Sequence, residues 1–281
     1  MYAAPPAIRR RVVFLTDIVY MPYSFSALGT IGSLAINAYF RKALQGFRRL
    51  VYLNSLAEVR GRRWFIFLGG RVDKWIAENA FVAGYAPSYV PGKLLPKRDA
   101  RRMLGIDMDE FVVVVTVGGT SAGSRRLLDC IYSALPTIGE EVRQRTGREL
   151  LVIVVRGPRT EWRPPSRPPV RMRVLGMVRD MTILYSAADA FITRSGRTTT
   201  ADLLCASLPA VLIPIRGHME QEAIAKAMSR LYGYPTIREY RCSPHHLAEE
   251  LMKSIENRPK PPTEECLGGV RTAHLLLELV H

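Results

Sequence analysis

The sequence predicts an α/β protein built from doubly wound parallel sheets, and two observations lead to this fold class. First, short apolar runs alternate with helix-like segments along the 281 residues. Second, several of those runs are apolar at every position, as expected of parallel strands that helices cover on both faces. Alternation of this kind folds into parallel sheets through right-handed crossovers. With 48% hydrophobic residues, the chain has enough side chains for such cores.

The chain is long enough for two domains, and we expect the first to span residues 1–96. Strands are predicted over Val12–Thr16, Arg49–Asn54, Arg63–Leu68 and, at an edge, Phe81–Tyr85. Residues 18–40 carry no charge and resemble a membrane span. Because prolines, glycines and small polar residues dilute this segment, we predict a strand followed by a helix instead. Prolines and a glycine between residues 87 and 96 indicate the linker.

The second domain is expected over residues 97–281, with a stronger strand–helix rhythm. Its predicted strands are Phe111–Val117, Leu150–Val155, Met172–Leu175, Ala190–Thr193 and Ala210–Ile213. Its predicted helices are Lys97–Leu104, a segment that follows a glycine-rich turn and ends near Leu135, Met181–Ala187, Thr198–Ser207, Glu220–Leu231, Leu247–Ile255 and Thr272–Val280. This domain is a complete nucleotide-binding unit. The first domain has fewer strands and no opening glycine-rich turn.

Composition narrows the classes of partner and site. The formal net charge is +15, and arginine outnumbers lysine by 33 to 7. Guanidinium groups match phosphate oxygens, so this balance suits a phosphorylated ligand, a nucleic acid or an anionic membrane surface. A biased or heat-adapted surface explains the total charge equally well. Four scattered cysteines indicate small buried residues in a reducing compartment rather than disulfides, and no cysteine–histidine cluster has the spacing of a zinc site.

Polar residues follow the fourth predicted strand of the second domain, where ligands of doubly wound sheets bind. Ser195 and Gly196 lie in the turn, and Thr199 lies in the first turn of the next helix. A helix N-terminus offers backbone N–H groups to a diphosphate, and glycine lets the anion approach the backbone. Arg194 either supplies a fork for the phosphates or faces solvent. This turn is therefore predicted to hold a diphosphate.

Two further groups of residues suit a sugar nucleotide. Asp202 can accept hydrogen bonds from both hydroxyls of a ribose, although an ordinary aspartate near a helix start explains it as well. His218, Glu220 and Gln221 follow the last predicted strand, and an amide both donates to and accepts from sugar hydroxyls. A histidine at this position indicates loop capping at least as readily as catalysis. The glycine pair at Gly118 is weak evidence of a ligand site by itself. It supports such a site because three turns of this kind converge on one edge of the sheet.

Together these residues form an ordered series that resembles family 28 glycosyltransferases, which have the GT-B fold. The series comprises Met177, Val178, Arg179, Asp180, Met181, Tyr185, Ala188, Asp189, Arg194, Ser195, Gly196, Thr199, Asp202, Leu208, Pro209, Pro214, Glu220, Gln221, Ile224 and Ala225. Within that family, the likeness is greatest to the enzymes that add N-acetylglucosamine to lipid-linked peptidoglycan precursors and to their archaeal relatives. It covers about residues 85–281. The resemblance implies two Rossmann-like domains, with the N-terminal, acceptor-side domain shortened and the C-terminal domain binding the nucleotide-sugar.

The resemblance also implies roles for particular residues. The backbone of Val178 would contact the nucleobase, and Asp202 stands where the family has a ribose-binding glutamate. Glu220 and Gln221 stand where the family contacts the donor sugar. The whole predicted nucleotide-sugar site is Gly118, Gly119, Thr120, Ser121, Arg156, Val178, Met181, Arg194, Ser195, Gly196, Thr199, Asp202, His218, Glu220 and Gln221.

The sequence departs from the family pattern at several points. Asp202 is one methylene shorter than the family's glutamate, and Ile224 replaces the usual asparagine. The first domain also lacks the family's glycine-rich turn and its candidate base. A start further upstream, a separate subunit that supplies the missing part, and a loss of activity all remain open. Asp17, at the end of the first predicted strand, is the single base candidate, and a turn-capping aspartate is the alternative interpretation.

The resemblance implies an inverting transfer of a sugar from a UDP-sugar to a hydroxyl acceptor, without a metal or another cofactor. The sugar is expected to be an N-acetylhexosamine, and the acceptor to be lipid-linked or soluble. A non-catalytic or split-subunit donor-binding protein and a nucleotide-sugar 2-epimerase are the alternatives. A nucleic-acid binder is disfavoured because basic and aromatic residues are not interleaved. We expect a cytoplasmic protein, either free or peripheral on the inner face of the membrane, where Arg9–Arg11 and Arg48 would meet anionic lipid.

Overall fold

The computed structural model describes residues 12–20, 27–64, 70–119, 124–157, 159–164 and 167–280. The chain forms two compact units, one within residues 1–90 and 262–281 and the other within residues 91–261. The boundary therefore falls at residue 90 rather than 96, and the last segment belongs to the first unit, not to the second. Gly268 explains the second difference, because its N–H donates to the carbonyl oxygen of Tyr85 at 2.8 Å and its backbone packs directly on Gly84.

The two units contain the following elements. In chain order they are β1 (Val13–Thr16), α1 (Ala27–Ala43), β2 (Arg49–Tyr52), α2 (Leu56–Val59), α3 (Val72–Asn79), β3 (Phe81–Val82), α4 (Lys97–Leu104), β4 (Glu110–Thr116), α5 (Ser124–Thr146), β5 (Glu149–Val155), β6 (Arg171–Leu175), α6 (Thr182–Ala187), β7 (Ala190–Thr193), α7 (Arg197–Cys205), β8 (Ala210–Leu212), α8 (Met219–Tyr232), α9 (Pro244–Glu256) and α10 (Gly268–Val280), with 3-10 turns at Glu239–Arg241 and Glu265–Leu267. The strand–helix alternation predicted from the sequence is confirmed.

The first unit holds a parallel sheet with the strand order β1-β2-β3. Leu50 of β2 joins a buried cluster around Trp64, whereas its neighbour Val51 joins a second cluster with Leu275 of α10. Alternate residues of β2 therefore face different clusters, as the two-residue repeat of a strand requires. The last helix is consequently part of the packing of this sheet.

Two predictions concern particular segments of the first unit. The strand expected over Arg63–Leu68 is described only at its start, where Arg63 forms an isolated bridge with Arg71, and residues 65–68 lie outside the described part. The helix expected in place of a membrane span is present as α1. Within the described ranges, no helix combines the length and the apolar character needed to cross a membrane.

The second unit holds a wholly parallel, five-stranded sheet in the order β6-β5-β4-β7-β8. β4 is buried along its whole length, and α5 and α9 pack on the same cluster as its residues Val113 and Val115. From β4 the chain adds β5 and β6 on one side and later β7 and β8 on the other. The direction of winding thus reverses between β4 and β7, which is the point where ligands bind in open α/β sheets.

The carboxyl ends of the five strands lie level. Thr116 pairs with Val155 on one side and with Thr193 on the other. Val155 in turn pairs with Leu175, and Thr193 pairs with Leu212. The turns that follow these strands therefore meet along one line, which we call the strand-end edge.

The helix predicted to end near Leu135 is longer than expected. α5 continues to Thr146 and contains Pro136. Its buried residues keep a spacing of three or four positions on both sides of the proline, at Leu128, Ile131, Leu135, Ile138 and Val142. Burial of this continuous apolar face outweighs the hydrogen bond that the proline removes.

The prediction that all four cysteines are reduced is wrong. Cys130 of α5 and Cys242, just before α9, form a disulfide with their Cα atoms 6.5 Å apart. They are 112 residues apart in the sequence. Pairing at that separation depends on how α5 and α9 pack, and the spacing of the cysteines carries no signal of it.

Candidate functional site

Direct contacts along the strand-end edge link the ends of β4 and β7, the turns after β4 and β5, and the turn after β7 with the start of α8. Between β4 and β7, the Oγ1 atoms of Thr116 and Thr193 share a hydrogen bond of 2.6 Å. The turn after β5 touches the turn after β4, since a Cβ on Gly157 would lie 2.4 Å from the carbonyl oxygen of Gly118. On the other side, Ser195 after β7 is linked to α8 through its side chain. The turns that the sequence predicts to converge are therefore neighbours.

The N-cap residue of α7 is Gly196, which has no side chain with which to cap the first amides of the helix. A Cβ on Gly196 would meet no atom of the described residues within 4 Å, so the space beside its backbone is open with respect to them. By contrast, His218 caps α8, because its Nδ1 accepts from the N–H of Gln221 at 3.4 Å. Of these two helix starts, α7 is the one suited to bind an anion.

The segment between β8 and α8 is held by its own polar groups. Ser195 Oγ donates to the carbonyl oxygen of Gln221 at 2.8 Å. The side-chain oxygen of Gln221 accepts from the N–H of Ile215 at 3.0 Å. His218 and Gln221 therefore stabilise the conformation of this loop. This finding agrees with the alternative interpretation of His218 as a loop-capping residue. Glu220 is half-buried in the first turn of α8, and the contacts of Glu220 and Gln221 with a donor sugar stay predictions.

Arg194 has protein partners. Its side chain is buried, and Nη1 donates to the carbonyl oxygen of Ile213 at 3.1 Å. Nη2 donates to Oε1 of Glu239 at 2.7 Å, and Oε2 of Glu239 accepts from the N–H of Arg216 at 3.2 Å. This guanidinium therefore ties the turn after β7 to the loop after β8. Neither role considered from the sequence, a bidentate contact with the phosphates or a solvent-facing position, describes Arg194 in the structure.

Asp202 is oriented by a residue that has no role in the sequence-based site. Asp202 is 2% exposed, and its Oδ2 accepts from the hydroxyl of Tyr185 at 2.8 Å. Tyr185 lies at the end of α6 and packs against Phe191 of β7. Both Tyr185 and Asp202 belong to the ordered series of family-like residues, which was the available signal. The ribose contact of Asp202 stays a prediction.

The turn after β6 is fixed by a side-chain cap. Oδ1 of Asp180 accepts from the N–H and from the hydroxyl of Thr182, at 2.9 and 2.6 Å. These two hydrogen bonds lower the pKa of Asp180, so the cap is ionised at neutral pH. Val178 is half-buried in this turn, and Met181 is the N-cap residue of α6. The contact of the Val178 backbone with a nucleobase stays a prediction.

The remaining residues of the predicted site fall into three groups. Arg156 follows β5, and its Nη1 donates to a backbone carbonyl of the next loop at 3.2 Å. Gly119 is exposed after β4, and Thr199 is half-buried in the first turn of α7. Thr120 and Ser121 lie outside the described residues.

Asp17, the predicted base, belongs to the first unit. It follows β1 and is half-buried. Thr16 closes the turn around it, since Oγ1 of Thr16 donates to the carbonyl oxygen of Ile18 at 2.7 Å and accepts from the N–H of Ile18 at 3.1 Å. The catalytic role of Asp17 stays a prediction.

The amino edge of the second sheet carries a buried ion cluster that was not predicted from the sequence. Oδ2 of Asp189 accepts from Arg101 at 2.6 Å and from the N–H of Val112 at 2.8 Å. Its Oδ1 accepts from Lys97 at 2.8 Å, and Arg148 completes the cluster at 3.1 Å. Burial raises the pKa of Asp189, but the hydrogen bonds from Lys97 and Val112 outweigh it, and the pKa is lowered. Asp189 therefore anchors α4 to the sheet as a carboxylate.

A cleft of about 750 Å³ lies at that same amino edge, beside the C-terminal half of α5. Its lining carries the carboxylates of Asp107, Asp109, Glu110, Glu140 and Glu149 and the guanidinium groups of Arg143 and Arg171, which pair with Glu140 and Glu110. The remaining excess of negative charge disfavours phosphates. The cleft is therefore not suited to the ligand predicted for the strand-end edge.

Within the described part of the chain, one cluster has the composition of a metal site. His246, Glu249 and Glu250 of α9 have ligand atoms within 4.8 Å of one another. Both glutamates also pair with Lys253, at 2.9 and 2.8 Å, and these contacts raise the pKa of Lys253. Ion pairs on a solvated helix face account for this cluster.

Comparison with known proteins gives the same assignment for the second unit. Residues 112–267 match the family model of the glycosyltransferase family 28 C-terminal domain. The chain is 28% identical over 185 residues to an uncharacterised glycosyltransferase of Methanopyrus kandleri, covering 65% of this chain and 49% of that protein. It is 25% identical over 256 residues to the UDP-N-acetylglucosamine–N-acetylmuramyl-(pentapeptide) pyrophosphoryl-undecaprenol N-acetylglucosamine transferase of Acidothermus cellulolyticus, covering 85% of this chain and 66% of that protein. The chain thus spans less than two thirds of the length of either relative.

Solved structures resemble the chain over most of its length. The glycotransferase of kitacinnamycin aligns with a TM-score of 0.55 at 14% identity, covering 88% of this chain and 58% of that one. Arabidopsis thaliana UGT89C1 complexed with UDP-L-rhamnose aligns with a TM-score of 0.53 at 12% identity, covering 92% and 61%. At these identities the likeness concerns the fold alone. It confirms the predicted GT-B type, with two α/β units that each hold a parallel sheet.

Proposed function

Because the chain belongs to glycosyltransferase family 28, we propose that its second unit binds a nucleotide-sugar and that the protein transfers the sugar to a hydroxyl group. The observation that carries this proposal is the glycine at the N-cap position of α7, Gly196, beside whose backbone no described residue comes within 4 Å of a Cβ. Free backbone N–H groups and the positive end of the helix dipole favour a diphosphate at such a position.

We propose that the donor is a UDP-sugar, with an N-acetylhexosamine as the sugar. The names of a relative and of a structural neighbour support this choice, since one contains UDP-N-acetylglucosamine and the other UDP-L-rhamnose. In this assignment the diphosphate lies at Gly196, and the turn of Val178 receives the uracil. The carboxylate of Asp202, held by Tyr185, receives the ribose.

The transfer is proposed to be a single displacement that inverts the anomeric carbon and needs no metal. The acceptor hydroxyl attacks that carbon as its bond to the UDP oxygen breaks, and a base takes the hydroxyl proton. Negative charge builds up on the departing diphosphate, where the amides at the start of α7 are already oriented to stabilise it. Asp17 is the base that we propose.

We further propose a lipid-linked acceptor at the inner face of a membrane. The first unit exposes Arg41, Lys42, Arg48 and Arg49, and each charge near an anionic surface contributes roughly 1 kcal/mol. The word undecaprenol in the name of the Acidothermus cellulolyticus relative points to the same class of acceptor. A partner subunit that completes the first unit is part of this proposal.

Calorimetric titration of the full chain with UDP, UDP-N-acetylglucosamine and random-sequence DNA tests the proposal. We expect saturable binding of one UDP per chain that changes little with moderate salt. A response to DNA alone, with a steep dependence on salt, would contradict a donor site and favour a nucleic-acid binder. The measurement does not need turnover, so it tests the donor site even where a partner is required for transfer.

A further inference from the structure

Three arginines gather around one exposed tyrosine close to the strand-end edge. Arg216 lies in the loop between β8 and α8, while Arg238 precedes the 3-10 turn that contains Tyr240 and Arg241. Nη1 of Arg238 donates to the hydroxyl of Tyr240 at 2.9 Å. The Cζ atoms of Arg216 and Arg241 each lie 5.8 Å from the centre of the tyrosine ring. All three arginines are exposed, and Tyr240 is 57% exposed. We call this group the Tyr240 cluster.

The Tyr240 cluster has an excess of positive charge. In the part of the chain that the structure describes, none of its three guanidinium groups forms an ion pair with a carboxylate, whereas Arg101, Arg171 and Arg194 elsewhere in this unit do. Of the two nearby carboxylates, Glu239 is paired with Arg194 at 2.7 Å, and Glu222 accepts from the N–H of Gly217 at 3.0 Å and attracts Arg238 without forming an ion pair with it, so three cations face at most one unpaired carboxylate. Like charges repel one another, so three cations around one ring favour an anion between them.

A carboxylate lies between the Tyr240 cluster and Arg194 of the turn after β7. Glu239 receives Arg194 of the turn after β7 on one oxygen and the N–H of Arg216 on the other. The negative charge of Glu239 disfavours a phosphate at the point where these two contacts meet. The cluster is therefore treated as a position separate from the start of α7, and competition with UDP tests that separation.

We infer that Arg216, Arg238 and Arg241 form a second anion site, which binds a phosphate group of a ligand other than the donor nucleotide. Guanidinium forks match the oxygens of phosphate, and the ring of Tyr240 holds two of the guanidinium groups beside it through cation–π contacts. The inference stands on the cluster alone and does not depend on the proposed glycosyl transfer. A soluble phosphate ester and a lipid headgroup carry the same chemistry, and the experiment separates them.

The test uses the full chain with inorganic pyrophosphate as the probe. Binding is measured without UDP and at a UDP concentration that saturates the donor site. Binding is followed through the 13Cζ resonance of Tyr240, which the Tyr240→Phe variant identifies. We expect saturable binding in both conditions. With UDP saturating the donor site, the Arg216→Gln/Arg238→Gln/Arg241→Gln variant should bind pyrophosphate at least about tenfold more weakly than the unmodified chain, and its UDP affinity should be unchanged. Its matched control, Arg98→Gln/Arg102→Gln/Arg258→Gln, removes the same charge from exposed arginines elsewhere in this unit and should bind pyrophosphate like the unmodified chain.

A second arm uses sedimentation with vesicles of phosphatidylglycerol and phosphatidylcholine. Selective loss of vesicle binding in the cluster variant supports the site with a lipid headgroup as its ligand, and selective loss of pyrophosphate binding supports it with a soluble ester. Equal losses in the cluster variant and its control overturn the inference, because they show a general effect of charge. Pyrophosphate that only displaces UDP, or that binds in neither arm, overturns it as well. Circular dichroism on heating verifies that both variants fold.

Discussion

Ser195 donates from its buried hydroxyl to the main-chain carbonyl oxygen of Gln221 at 2.8 Å, which joins the turn after β7 to the start of α8. Replacement of Ser195 by alanine should lower the free energy of unfolding by about 1 kcal/mol and weaken UDP binding, because the turn loses its link. Urea denaturation and UDP titration measure the two effects. Ser229→Ala, on the exposed side of α8, is the control and should change neither.

Two glycines of the strand-end edge should respond to alanine in opposite ways. Among the residues that the structure describes, none has an atom within 4 Å of a Cβ on Gly196, so Gly196→Ala should weaken UDP binding while costing less than about 1 kcal/mol of stability. Gly157 has φ of +72° and lies against the carbonyl oxygen of Gly118, so Gly157→Ala should cost at least about 1–3 kcal/mol. Thermal or urea unfolding and UDP titration of both variants provide the test. Equal stability losses would contradict the open space assigned to Gly196.

The ion cluster at Asp189 should dominate the acid sensitivity of the second unit. Asp189→Asn leaves Arg101, whose side chain is 1% exposed, without its anion and should cost about 3–5 kcal/mol. Asp99→Asn, which breaks the exposed pair with Arg102, should cost less than about 1 kcal/mol and serves as the control.

The lowered pKa of Asp189 fixes the direction of the pH dependence. The carboxylate stabilises the fold fully above its unfolded pKa of about 3.9, and this contribution is lost as the pH falls through the lower folded value. We expect the unfolding free energy of the unmodified chain to fall steeply below about pH 4, and that of Asp189→Asn to fall less. Parallel curves for the two proteins would remove Asp189 as the cause.

Tyr185 is expected to act on nucleoside binding through Asp202. Tyr185→Phe keeps the ring that packs against Phe191 but removes the hydroxyl that Asp202 accepts from at 2.8 Å. UDP should bind severalfold more weakly, whereas inorganic pyrophosphate, which has no ribose, should displace UDP with an unchanged inhibition constant. If both ligands weaken equally, Tyr185 supports the structure of the site as a whole rather than the orientation of Asp202.

The disulfide between Cys130 and Cys242 closes a long stretch of chain, because the two cysteines are 112 positions apart in the sequence. A cross-link of this span restricts the unfolded chain, so Cys130→Ser/Cys242→Ser should lower the free energy of unfolding by about 2–4 kcal/mol. Peptide mapping under non-reducing conditions identifies the bond, and urea denaturation measures its contribution. Recovery of both cysteines as free thiols from folded protein would contradict the pairing.

Local sequence signals were sufficient for much of the second unit. β7 begins and ends at the predicted residues because a short apolar run is bounded by polar ones, and α4 ends before Gly105, which adopts the left-handed conformation with φ of 59°. The alternation of such elements was enough to predict which turns meet at the strand-end edge. Ser195, Gly196 and Gln221 could therefore be grouped without a structure.

Contacts between distant parts of the chain could not be predicted in this way. Cys130 and Cys242, Arg101 and Asp189, and Arg194 and Glu239 meet only because helices pack on the sheet, and nothing in the spacing of these residues reveals it. The same reason explains why α10 was placed in the second domain, since its contacts with the first sheet are made by a segment far along the chain.

Amide hydrogen exchange in the presence and absence of UDP is the most direct test of the central claim, that a nucleoside diphosphate binds at the start of α7. We predict slower exchange with UDP in peptides that cover residues 194–200 and 176–182, and no change in those that cover α9. Protection confined to the acidic cleft around Glu110 and Glu140, or the absence of any protection, would contradict the claim.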